Sequence, residues 1–94
     1  MGVEPSGLKI NGARVTLSSC SSKGVLNFSW RLIAADDDVI DYVVVHELAH
    51  IIEKNHSLRF WRIVEDVLPD YEMRKKGLRV LRQRLALEEK EGYV

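Results

Sequence analysis

Residues 39–52 carry an apolar side chain in nearly every direction around a helical axis, among them Ile40, Val43, Val44, Val45, Leu48, Ala49, Ile51 and Ile52. A helix of that kind must be buried, yet this one would take His46, Glu47 and His50 with it. The run Val43, Val44, Val45 favours a strand by propensity. A helix is nevertheless the reading, because only a turn of about 100° and a rise of about 1.5 Å per residue put His46 and His50 about 40° apart, one turn above the other. Glu47 then points about 60° from His50, toward a water near the two imidazoles rather than toward an ion they share. The pattern is H-E-x-x-H, two metal ligands and a general base.

Catalytic zinc commonly takes three protein ligands and leaves the fourth position to water. Glu53 lies on the same helix face, but a straight helix rises roughly 10.5 Å from His46 to Glu53, too far for three successive turns to converge on one ion. The third ligand must come from beyond a bend. Lys54 and Asn55 supply one, since Asn tolerates the left-handed conformation that ends many helices, and His56 follows at once. The expected metal set is therefore His46, His50 and His56 around Zn2+, with Glu47 as the catalytic residue and Glu65 on the next helix as the fallback ligand. The spacing through Glu53 and His56 matches the long metzincin pattern, except that Glu53 stands where that pattern has glycine. Two histidines four apart on a helix are ordinarily just packed or solvated. Here the chain's 3 histidines all fall between positions 46 and 56 of a segment apolar enough to be buried, which favours the metal.

Ninety-four residues with 46% hydrophobic and 30% charged side chains form one soluble domain, small enough for a metal to matter to its stability. The formal net charge of zero gives no argument for nucleic acid or an anionic membrane as partner. One cysteine, Cys20, excludes an internal disulfide and suits a reducing cytoplasm. Neither a span of ~20 apolar residues nor a hydrophobic leader is visible, so the expected location is cytoplasmic.

The expected fold class is α+β: an antiparallel β-hairpin or small sheet packed on three α-helices, the active-site helix buried at the centre. Residues 1–7 read as a flexible lead and 8–33 as the hairpin region. Within it, 13–17 form one strand by the alternation of Val15 and Leu17, and 18–24 the connection. Residues 26–32 form the other, with Leu26, Phe28, Trp30 and Leu32 facing the core and Asn27, Ser29 and Arg31 facing out. The active-site helix covers 36–54, opened by Asp36, Asp37 and Asp38, which suit a helix N-terminus. Ser57 caps a second helix over 57–68, stopped by Pro69, with Phe60, Ile63, Val64 and Val67 on its inner face. A C-terminal helix over 70–90 carries the stripe Leu78, Leu81, Leu85 and the cations Arg74, Lys75, Lys76, Arg79, Arg82 and Arg84. These read as a solvated basic face near the acidic residues 36–38, and Trp61 as a core aromatic.

Several motifs together resemble the YgjP-like metallopeptidase family, a relative of the minigluzincins, SprT-like and WLM proteins. They are Ser19-Cys20-Ser21-Ser22-Lys23-Gly24, Leu26-Asn27-Phe28, the run from Asp41 and Tyr42 to His50, Asn55-His56-Ser57 with Phe60-Trp61, and Pro69-Asp70-Tyr71. The resemblance spans about two thirds of the chain. It implies a zincin-like domain, a zinc ion on His46, His50 and His56, and Glu47 as catalytic glutamate. Where the family usually reads Trp-Gly-Ser-Cys, this chain has Leu17-Ser18-Ser19-Cys20. The implied activity is hydrolysis of a peptide or protein substrate, held along the edge of a strand within 16–22 or 26–32. Tyr42 and Tyr71 are oxyanion candidates, each more ordinarily structural. Alternatives are a zinc hydrolase of a small molecule such as a nucleotide, with phosphate on the basic helix, a zinc-stabilised binding module, and a latent enzyme whose segment 87–94 covers the cleft.

Overall fold

The computed structural model describes the backbone of residues 1–91 and the side chains of residues 1–87. Its sheet has three strands, β1 (Gly7–Asn11), β2 (Ser18–Cys20) and β3 (Val25–Ser29), in the order β1-β3-β2. β2 and β3 form an antiparallel hairpin, with Ser18 opposite Phe28 and Cys20 opposite Leu26. Gly24, at φ 81°, closes its turn and donates to the Ser21 carbonyl at 3.0 Å, a conformation glycine adopts without a Cβ penalty. β1 runs parallel to β3, Gly7 beside Val25 and Asn11 beside Ser29, so the sheet is mixed rather than a simple hairpin. At the end of the lead, the Ser6 amide donates to the Gly24 carbonyl and its hydroxyl to the Lys23 carbonyl.

This topology explains why residues 13–17 are not a strand. β1 and β2 flank β3 on opposite sides, and the chain between them must cross the width of two strand spacings, about 10 Å, over the end of β3. Residues 12–17 make that crossing. Leu17 drops into the core at 1% exposure while Val15 is 83% exposed. The crossing is fastened to the end of β3 by Ser29, whose hydroxyl donates to the Ala13 carbonyl (2.6 Å) and whose amide donates to the Leu17 carbonyl (2.8 Å). Ser29 is thus buried, not outward, and its hydroxyl also accepts from the Arg31 amide to cap a 3-10 turn over Trp30–Ala34. The strand therefore ends at Ser29. Trp30 leaves the period-two alternation and lies 55% exposed, with the Arg31 guanidinium 4.4 Å from its ring centroid.

Three helices follow: α1 (Asp37–Ile52), α2 (Leu58–Val67) and α3 (Tyr71–Glu91). α1 touches α2, α3 and β2, which is why so little of its circumference reaches solvent. Tyr42, Val43 and Ala49 are fully packed, and Val44, Val45, Leu48 and Ile51 are half-buried against the same core. Asp36 occupies the N-cap without a side-chain hydrogen bond, so the three acids serve this end through charge alone. Ser57 caps α2, its hydroxyl accepting from the Phe60 amide at 3.3 Å. Phe60 and Val64 are the core of that helix, whereas Val67 faces solvent. On α3, Leu81 is buried and Leu78 and Leu85 pack at its margin. Among the described residues no helix is long and apolar enough to cross a membrane.

α3 lies close against the first turn of α1 at Gly77, where a Cβ would stand 2.6 Å from Val39 Cγ2. Gly77→Val should therefore separate the two helices and destabilise the domain by about 2 kcal/mol, the usual cost of overpacking a filled contact. Denaturant unfolding measures it; an unchanged midpoint would mean that the contact yields freely.

Candidate metal centre

His46 and His50 stand on successive turns of α1 with ring centroids 4.8 Å apart. His56 reaches them from the short connection to α2. The helix ends because Glu53 is extended, at φ −134° and ψ 112°, and no residue other than glycine has a positive φ among the described residues, so the reversal does not use a left-handed Asn55. The three Nε2 atoms converge, His56 lying 3.1 Å from His50 and 3.3 Å from His46. Bonds of about 2.0–2.1 Å at tetrahedral angles place the nitrogens of a zinc site about 3.3–3.4 Å apart, a spacing the two His56 pairs approach, and all three ligand atoms lie within 4.8 Å of one another. Among the described residues this is the one cluster of three groups that could hold a metal. Glu65, the fallback ligand, is exposed on α2 and outside it.

The far sides of two rings orient the near sides. His50 Nδ1 lies 3.1 Å from the Glu53 carbonyl, which can only accept, so the proton sits on Nδ1 and the Nε2 lone pair is left for a ligand bond. His46 Nδ1 lies 3.4 Å from Glu47 Oε2. Phe60, fully buried, is the floor beneath all three rings, stacked on His50 at 4.4 Å and edge-on to His46 and His56 at 5.1 and 5.0 Å. Burial, together with the charge of His50 and His46, holds the His56 imidazole below its ordinary pKa and favours the neutral form that binds metals.

Glu47 is 4% exposed beside the imidazoles. Burial pushes its carboxyl up, but hydrogen bonds from His46 and Ser18, together with the nearby imidazoles, outweigh that and hold it below the ordinary value, ionised. Ser18 Oγ donates to Oε2 at 2.5 Å across 29 positions of sequence. Oε1 has no protein partner among the described residues. Nothing in the pattern around Ser18 announces this contact; it arises only because β2 packs on α1.

Two hollows open from the centre and share Ser18, His46, Glu47 and His56. One, of about 430 Å³, runs along Ser19 to Ser22 on the β2 side toward His50 and Lys54. The other, of about 480 Å³, is walled by Tyr42, Trp61 and the α3 residues Lys75, Leu78, Arg79 and Arg82. Trp61 is thus a wall of the site as well as a core neighbour, stacked on His56 at 5.9 Å and on Tyr71 at 5.4 Å. The basic face of α3 is divided. Arg74 meets the acidic end of α1 through Asp38 and Asp41 as well as Asp70, while Lys75, Arg79 and Arg82 turn to the hollow. Tyr42 is buried, and burial pushes its hydroxyl pKa up to about 12.

A helix bearing a histidine cluster and a buried glutamate, set beside a short mixed sheet, is the architecture of a zincin-like metallopeptidase. The fold matches the crystal structure of the metallopeptidase zymogen of Pyrococcus abyssi abylysin with a TM-score of 0.72 at 24% identity, over 88% of this chain and 82% of that one. Residues 1–81 match the YgjP-like metallopeptidase domain, and the chain belongs to that family. No curated protein sequence matches it.

The contact between Ser18 and Glu47 has a measurable consequence. Ser18→Ala removes a donor from a buried carboxylate and should cost about 1–3 kcal/mol of stability. Ser18→Thr, which keeps the hydroxyl, should recover part of it in the same unfolding assay.

Proposed function

We propose that this domain is a zinc-dependent peptidase in which Nε2 of His46, His50 and His56 holds the ion and Glu47 is the general base. The observation that carries the reading is the meeting of three imidazole nitrogens within 4.8 Å of one another, two of the pairs at the spacing of a zinc tetrahedron, beside an ionised glutamate with one oxygen unengaged among the described residues. A zinc ion bound there supplies a Lewis acid, which brings the ionisation of water toward neutral pH and polarises a carbonyl. Glu47 Oε2 is engaged by Ser18 and faces His46, so Oε1 is the atom that takes the proton of the attacking water and returns it to the departing amine. The peptide lies along β2, whose outer side is unpaired in the sheet and borders the centre, its main chain adding to the strand edge. Tyr42, its hydroxyl kept neutral, faces the α3-side hollow as a hydrogen-bond donor toward developing negative charge.

Glu47→Gln keeps the shape and an oxygen for Ser18 while deleting the base. Zinc content should stay at the level of the parent protein, stability should hold or rise, and turnover of a peptide substrate should fall by about 10²- to 10⁴-fold. Retained zinc with undiminished turnover would remove Glu47 from the reaction. Replacing any of the three histidines with Ala should lower zinc content and the thermal midpoint together. Full zinc occupancy in His56→Ala would reassign the third ligand.

A further inference from the structure

The wall opposite β2 carries charge that the reaction above does not use. Lys75, Leu78, Arg79 and Arg82 recur at i, i+3, i+4 and i+7 and so form one stripe of α3, and all four line the hollow beside His46 and His56. The close packing of α3 on α1 at Gly77 brings the stripe to the site. None of the three cations makes an ion pair among the described residues; the acids at the start of α1 are met by Arg74 instead. The only carboxylate among the described residues of the wall is Glu47, already engaged by Ser18 and His46. Lys75 is held in place, its ammonium 4.5 Å from the centroid of the Trp61 ring, and that ring stacks on His56. A concave site with three cations that have no counter-charge among the described residues, two of them guanidinium forks, suits an anion, and a planar carboxylate matches the fork.

We propose that this wall is a carboxylate subsite, so that the preferred peptides carry a negative carboxylate next to the scissile bond. The carboxylate belongs either to an acidic side chain or to the C-terminus of the peptide itself. The inference rests on the peptidase reading, which supplies the peptide, but its test reads binding rather than turnover. The hollow of about 480 Å³ has room for a single side chain or a terminal residue. A nucleic acid would need a basic track continuing beyond the hollow, and the chain as a whole has no net charge.

The test uses the full chain carrying Glu47→Gln, with and without added zinc, and three peptides of one sequence competing against a fluorescent tracer. The first contains Gln and is blocked at both ends, the second replaces that Gln with Glu, and the third keeps Gln but has a free C-terminal carboxylate. At least one of the carboxylate peptides should bind about tenfold or more tightly than the neutral one, as a charge-assisted contact gives, and the arm that gains identifies the source. Arg79→Glu with Arg82→Glu, both exposed positions where folding should persist, should abolish that gain and transfer the preference to a Lys-containing peptide. A merely structural role for the two arginines would not produce the exchange. Equal binding of all three peptides, no binding of any, or equal displacement by inorganic phosphate at matched concentration would overturn the subsite. Carboxylate preference in Glu47→Gln, when the parent chain with Glu47 intact and zinc bound cleaves no peptide, would leave the subsite standing and remove the peptidase reading, whereas cleavage by the parent with no carboxylate preference would do the reverse.

Discussion

The convergence of three imidazoles above Phe60 is the constraint from which the rest of the arrangement follows. Three polar rings within a few ångströms of one another, on a segment otherwise apolar, are unfavourable unless each nitrogen has a partner. On the outer side His50 donates to the Glu53 carbonyl and His46 faces Glu47. On the inner side the three Nε2 atoms face one another, an arrangement that a cation shared among them satisfies best. That sharing also links elements. His46 and His50 belong to α1, while His56 stands just before the cap of α2, so one ion would fasten the helix pair that buries Phe60 and Val64. In a small domain of 94 residues such a clasp would contribute to the fold as well as to any chemistry.

What the sequence reveals of this domain is what depends on local periodicity. The one-turn spacing of His46 and His50, the helical stripe ending in Leu81 and Leu85, and the Ser57 cap are each set by residues a few positions apart. The sheet was legible only in part, because strand pairing is decided at long range. Leu8 and Ile10 are largely exposed, and β1 exists because it pairs with β3 rather than because its own pattern demands it. Val15 and Leu17 imitate a strand, but the crossing from one edge of the sheet to the other claims those residues. Trp30 and Ser29 exchange their expected sides for a related reason: the Ser29 hydroxyl is recruited to cap a 3-10 turn and fasten the crossing, which ends the alternation one residue before the tryptophan.

The site shows the same division. The histidines and Glu47 sit within eleven positions and can be found by geometry on a single helix, although the bend that delivers His56 is made by an extended Glu53 and not by a left-handed asparagine. Ser18 could not be found that way, since its partner lies 29 residues distant. Its chemistry is of interest because it supplies a hydroxyl that a glycine or alanine at this position could not donate. A serine there holds one carboxylate oxygen of Glu47 and, by stabilising the charged form, makes the group a weaker base than burial alone would.

The two walls of the cleft differ in kind, and the difference follows from how each is built. β2 offers main-chain groups at a sheet edge, which are indifferent to the side chains of whatever pairs with them. α3 offers side chains, because a helix spends its backbone hydrogen bonds on itself and has only its surface stripe to present. Lys75, Arg79 and Arg82 are that stripe, and the absence of a side chain at Gly77 is what lets α3 approach α1 closely enough for them to face the centre. For the peptide proposed above, discrimination would come from the helical wall and generality from the strand. The basic residues of α3 read from sequence as a solvated face because their periodicity does not say which neighbour they look toward. That direction depends on the close contact at Gly77 and on the division of labour with Arg74, which meets the acidic end of α1 and leaves the cations of the stripe without a counter-charge among the described residues.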